Sequence, residues 1–136
     1  MNINSNSTDN LKIGYINNNE VKPVSDIKIN EIMRSFRRNV MQNLPEDGEF
    51  ESNALIKSDK QGSYVLDVEA YKDPDTDRYR KNLKVSYIPN NEDYKISMNL
   101  QRGSKQDILD YLGNEKNADE ITIFMRNLKE RANGKS

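Results

Sequence analysis

The stretch QGSYVLDVEAYKDPDTDRYRKNLKVSYIPNNEDYKISMNLQ, residues 61–101, decides the fold, because its turn residues and its apolar alternation point to the same strand pairing. Its first turn, Asp73-Pro74-Asp75-Thr76-Asp77-Arg78, combines the fixed φ of proline with short polar side chains that hydrogen-bond turn amides. That turn sets Lys72 opposite Tyr79. Counting back, Tyr64 faces Tyr87, Leu66 faces Val85 and Val68 faces Leu83, so the apolar residues of both strands share one side of the sheet. The second turn, Pro89-Asn90-Asn91-Glu92, sets Ile88 opposite Asp93 and predicts three rows across the sheet: Tyr64/Tyr87/Tyr94, Leu66/Val85/Ile96 and Val68/Leu83/Met98. The other face then reads Asp67/Lys84/Ser97, Glu69/Asn82/Asn99 and Tyr71/Arg80/Gln101, a polar surface expected to face water. Tyr71, Arg80 and Lys84 on this face are the candidate partner-binding residues, since a tyrosine beside an arginine is the pairing of types that most often anchors an interface.

Helical periodicity flanks the strands. Ser25 is a good N-cap, Asp26 follows in the first turn, and Ile29, Ile32, Met33, Phe36, Val40 and Leu44 recur at helical spacing until Pro45. Residues 46–49 form a turn around Gly48, and residues 50–57 supply a further edge strand. After Arg102-Gly103, Ser104 caps a helix that runs to Gly113 with Ile108, Leu109 and Leu112 on its apolar side, and Asp107 completes a capping box. Ala118, Ile121, Met125, Leu128 and Ala132 mark a last amphipathic helix that ends near Asn133-Gly134. The expected architecture is α+β: an N-terminal amphipathic helix, an antiparallel meander of three to four strands, and two C-terminal helices packed on the apolar sheet face. Residues 1–24 are expected to be a disordered polar arm, 25–133 a single domain and 134–136 a disordered tail. Within the arm Leu11, Ile13 and Tyr15 alternate with polar residues, which fits a short strand.

Composition removes several classes of function. With 136 residues and 34% apolar content, the chain supports one small domain and little more. Its 21 basic and 22 acidic residues nearly cancel, unlike the basic excess of a nonspecific nucleic-acid binder. Cysteine and histidine are both absent, which excludes disulfides, thiolate nucleophiles and sites built on imidazole. No apolar run is long enough to span a membrane, and no cofactor motif is present, so a chain made in the cytoplasm is expected. The 19 asparagines, with abundant lysine, isoleucine and tyrosine, fit an AT-rich gene of bacterial, phage or plasmid origin. The acid-poor, Ser/Asn/Ile-rich first twenty or so residues are similar to the amino termini of proteins exported by type III secretion machines, which implies such a route as an alternative.

Two patterns carry candidate chemistry. Asp73, Asp75 and Asp77 match the opening of a calcium loop, but the glycine and bidentate glutamate that such a loop needs are replaced by Arg78 and Lys84. Arg34, Arg37 and Arg38 form the only dense basic cluster, on the wet side of the first helix; with Lys105 they are the candidate residues of a second reading, RNA or single-stranded nucleic-acid binding. The order helix, three strands, helix resembles a double-stranded-RNA-binding domain, and Gly103-Ser104-Lys105 looks like that family's basic helix start. The sequence departs from it in following Lys105 with Gln106 and Asp107, where the family places further lysines. In size, mild acidity and lack of cysteine the chain is also similar to type III secretion chaperones, but it lacks their two strands between the last helices. The leading expectation is a small non-catalytic protein-interaction module of inhibitor, chaperone or effector type, able to pair as a homodimer through a sheet edge. A carboxylate-dependent enzyme is the remaining alternative.

Overall fold

The structure, a computed structural model, describes residues 14–17 and 20–134, with side chains described from Lys28 onward. Strands β1 (Gly14–Asn17) and β2 (Glu20–Pro23) form an antiparallel hairpin, followed by helix α1 (Val24–Asn43). A four-stranded antiparallel sheet comes next, made of β3 (Phe50–Ser58), β4 (Gly62–Lys72), β5 (Tyr79–Pro89) and β6 (Ile96–Gly103). Helices α2 (Lys105–Leu112) and α3 (Asn117–Ala132) complete the chain. This is the α+β order that the sequence predicts. The β1–β2 hairpin falls inside the stretch expected to be a disordered arm, and Tyr15 lies in β1; Leu11, Ile13 and the other residues of 1–13 lie outside the described residues, as do 135–136 of the expected tail.

The sheet is a meander in the order β3-β4-β5-β6, so each strand pairs with its neighbour in sequence. Tyr64, Leu66, Val68 and Ala70 of β4 and Leu83, Val85 and Tyr87 of β5 point to one face and are buried. Helix α1 packs over β3, α3 over β5 and β6, and α2 against α1 and β6. Their apolar stripes close one core: Met33, Phe36 and Val40 from α1, Ile108 and Leu112 from α2, Ile121 and Leu128 from α3. Helix α2 starts as its sequence requires. The Ser104 hydroxyl accepts from the Asp107 amide at 3.1 Å, and the Asp107 carboxylate accepts from the Ser104 amide at 2.9 Å. Gly103 makes room for that carboxylate at φ 137°, where a Cβ would meet it.

The β4–β5 register is the one read from the sequence, from Lys72 opposite Tyr79 back through Val68 and Leu83 to Tyr64 and Tyr87. The β5–β6 register is not. Tyr87 pairs with Ile96 instead of Tyr94, Val85 with Met98 instead of Ile96, and Leu83 with Gln101 past a bulge at Leu100. The predicted row of three tyrosines is therefore two: Tyr64 and Tyr87 are buried with ring centroids 4.7 Å apart, while Tyr94 is 47% exposed. Before the bulge the shift is two residues, which keeps each side chain on its face, so apolar alternation, which has period two, does not exclude it; past the bulge it becomes three, and Gln101 and Arg102 exchange faces. What selects it is the loop. Asn90 does not close a tight turn; its amide donates to the Gln61 carbonyl at 2.8 Å and its side chain to the Lys60 carbonyl at 3.0 Å, which draws the chain past Pro89 toward the β3–β4 connection.

A second bulge, at Ile56 in β3, lets that residue turn into the core while Lys57 comes opposite Tyr64. At this end of the sheet Tyr87 lies across Gly62. A Cβ on Gly62 would sit 2.6 Å from the Ile88 carbonyl oxygen and 2.7 Å from the Tyr87 ring and hydroxyl, and the first of these is backbone that cannot swing aside. Gly62→Ala is accordingly expected to lower stability by about 1–3 kcal/mol, seen as a lower urea midpoint at unchanged slope; an unchanged midpoint would show that the approach of Tyr87 to Gly62 is not tight.

Candidate functional site

The β4–β5 turn is built from its own side chains. Asp73 Oδ1 accepts from the Asp75 amide at 2.9 Å, the Asp77 amide donates back to the Asp73 carbonyl at 2.8 Å, and Asp77 takes φ 63° to reverse the chain. The second carboxylate oxygen of Asp73 accepts from Arg80 Nε, and Lys72 pairs with Asp77 at 3.0 Å. The Arg80 guanidinium, helped by the Asp75 amide, holds the Asp73 carboxyl below its usual range, and Asp73 in turn raises Arg80. The carboxylates of Asp73 and Asp77 are thus engaged by an amide and cations, and among the described residues no group of acidic side chains converges as a metal site would need.

Beside this turn lies a groove of about 800 Å³, lined by Tyr71, Thr76, Arg78, Tyr79, Arg80, Lys81, Asn82, Arg102 and Gly103. Four of these residues are cationic and none is acidic. Tyr71 is 43% exposed at its mouth. Arg80 is engaged by Asp73, but among the described residues no carboxylate lies within 4 Å of Arg78, Lys81 or Arg102. Lys81 is only 7% exposed, and its ammonium donates to the Glu46 carbonyl at 2.9 Å. Lys81 alternates with Leu83 and Val85 on the helix-covered side of β5, so its ammonium is directed away from the face that carries Tyr71 and Arg80.

Of the residues singled out from sequence, Tyr71 and Arg80 stand together in this groove, directly paired across β4 and β5. Lys84 does not join them. It pairs with Glu69 at 2.9 Å and its side chain is 20% exposed. The face on which it lies is also drier at its centre than expected, with Asp67, Ser86 and Asn82 all buried. Charges and hydroxyls pair there with one another: Lys95 Nζ donates to Asp67 Oδ2 at 2.8 Å, and the Ser86 and Ser97 hydroxyls are 2.7 Å apart. The α1 basic cluster is spent largely on helix packing. Arg37 Nε donates to the Leu109 carbonyl at 2.8 Å in the last turn of α2, where a cation complements the helix end, and Arg34 reaches Glu115 at 3.5 Å. Arg38 is exposed on α1 and Lys105 half-buried at the start of α2.

Sequence reasoning missed Arg78, Tyr79 and Arg102. The last of these was hidden by the register: the expected pairing put Gln101 beside Arg80, whereas the bulge at Leu100 brings Arg102 opposite Asn82. The signal that could have found it is the loop of two further residues before Ile96.

Asp67 is 1% exposed, and its Oδ1 has no hydrogen-bond partner, so Lys95 is the cation on which this carboxylate relies. The hydrogen bond from Lys95 to Asp67 raises the ammonium's pKa above its ordinary value against the opposing effect of burial. A raised lysine contributes stability in full below its unfolded pKa, about 10.4, and loses it as pH climbs through the folded value. Lys95→Met is expected to cost about 2–3 kcal/mol at neutral pH, because it leaves a buried carboxylate unpaired, with the gap to wild type narrowing above about pH 10.4. Adding Asp67→Val should restore most of the loss. Urea titrations across pH check both, and a Lys95→Met protein as stable as wild type would show that the pair is not needed.

No protein-family model, curated protein or solved structure matches the chain, so the reading of this groove stands on its own geometry.

Proposed function

We propose that the chain is a small non-catalytic protein-interaction module that holds its partner in the groove between the β4–β5 hairpin and the end of β6. The observation that carries this reading is the groove itself, where Tyr71, Tyr79, Arg78, Arg80 and Arg102 meet in one place. Tyrosine and arginine are enriched among the few residues that carry most of the binding energy in protein interfaces, because each offers a large contact area together with a hydrogen-bonding tip. The groove also stands on a firm base, since β4 and β5 are the central strands of the sheet and the turn between them is closed by Asp73. The outer strands favour contact through this face over pairing at an edge: β3 and β6 each carry a bulge, which breaks the regular row of amides and carbonyls that an added strand or a second copy would use.

The AT-rich character of the composition supports a bacterial, phage or plasmid accessory factor, made in the cytoplasm, of inhibitor, chaperone or effector type. Nucleic-acid binding through α1 has less support, since Arg37 is turned to the end of α2 and Arg34 to Glu115 in the α2–α3 connection.

Affinity capture from a lysate of the source organism, with wild type, Tyr71→Ala and Arg34→Ala compared side by side, tests the reading. A stoichiometric protein is expected with wild type and Arg34→Ala, weakened by about 2 kcal/mol or more, tens-fold in affinity, with Tyr71→Ala. Capture indifferent to Tyr71→Ala would overturn it, as would a nuclease-sensitive excess of absorbance at 260 nm.

A further inference from the structure

We infer that the groove recognises a carboxylate-rich segment of its protein partner, with Arg78 and Arg102 as the residues that read the acids; this rests on the reading of the groove as the partner site. The argument begins with charge. Arg78, Arg80, Lys81 and Arg102 line one concavity without an acid among the lining residues, in a chain whose charges otherwise nearly cancel. Asp73 occupies Arg80, and the Lys81 ammonium is drawn to the Glu46 carbonyl on the helix side of the sheet. Arg78 and Arg102 have no carboxylate within ion-pairing distance among the described residues. Arg78 and Arg102 thus bring two unneutralised charges to one space. A guanidinium's planar fork matches a carboxylate through two parallel hydrogen bonds, so the groove is suited to accept acidic side chains.

Extent selects a peptide segment over a nucleic acid. A polyanion backbone needs a basic track that continues beyond one pocket, since its affinity grows with the number of phosphates neutralised. Here the track is short: of the cations lining the groove only Arg78 and Arg102 lack a partner on this face among the described residues, and the turn beside it carries Asp73, Asp75 and Asp77 instead of further cations. A short segment with a few acids fits within the groove, and Tyr71, 43% exposed, offers flat apolar surface to the intervening residues.

The test uses the whole chain and three probes read by fluorescence anisotropy: labelled polyglutamate, polylysine of the same length, and mixed-sequence single-stranded RNA. Polyglutamate alone is expected to bind at low ionic strength, with affinity falling as salt rises. Arg78→Ala and Arg102→Ala should each weaken it roughly tenfold, the loss of about one charge-assisted contact, while Arg38→Ala, a surface arginine of α1, leaves it unchanged. Absence of polyglutamate binding, equal sensitivity to Arg38→Ala, or preference for RNA would overturn the inference. The two readings fail separately. If polyglutamate does not bind but Tyr71→Ala still abolishes capture of the partner, the groove is the partner site and its ligand is not acidic.

Discussion

The pairing of β4 with β5 is the constraint on which the other elements depend. Eleven consecutive residue pairs join the two strands without a shift, and one side of them supplies the fully buried Leu66, Val68, Leu83 and Val85. The helices have no other wall against which to bury their apolar stripes. The same pairing sets the opposite face, where it brings Tyr71 beside Arg80 and places Asp67 at the dry centre. Removing one apolar pair would thus open the core and loosen the groove, because both faces share one backbone.

The legibility of this arrangement varied with how local its cause was. The β4–β5 register could be read because a short turn with its own hydrogen bonds tied the count to a fixed point. The α2 cap could be read for the same reason, its donors and acceptors lying within three residues of one another. The β5–β6 register could not, because the residues that set it, Gln61 and Lys60 at one end and Asp67 opposite Lys95 on the sheet face, are about thirty positions away. Alternation excludes a slip of one residue and is indifferent to a slip of two.

That one ambiguity also governed how much of the candidate site was visible. Tyr71 and Arg80 sit on the legible strand pair, and both lie in the groove. Arg102 sits on the other pair and was misplaced with it. Lys84 was legible as a neighbour of acids but not as the partner of Glu69 in particular, since direct and diagonal neighbours on a sheet differ by only a few ångströms. The arginines of α1 show the converse: a basic cluster on the outer side of a helix is solvated in isolation, and only the packing of α2 reveals that Arg37 serves its carbonyl end.

The contact between Arg37 and Leu109 spans 72 positions of sequence, whereas every strand of the sheet meets its partner within the next hairpin. During synthesis the meander can therefore assemble as it emerges, but α1 meets α2 only after the last strand is complete. At ribosomal speeds of roughly 5–20 residues per second, that interval is on the order of 4–14 s, through which the stripe of Met33, Phe36 and Val40 lacks part of its cover. The helix made first is the one finished last, and during that time the nascent chain offers chaperones a sticky surface that the mature protein does not have.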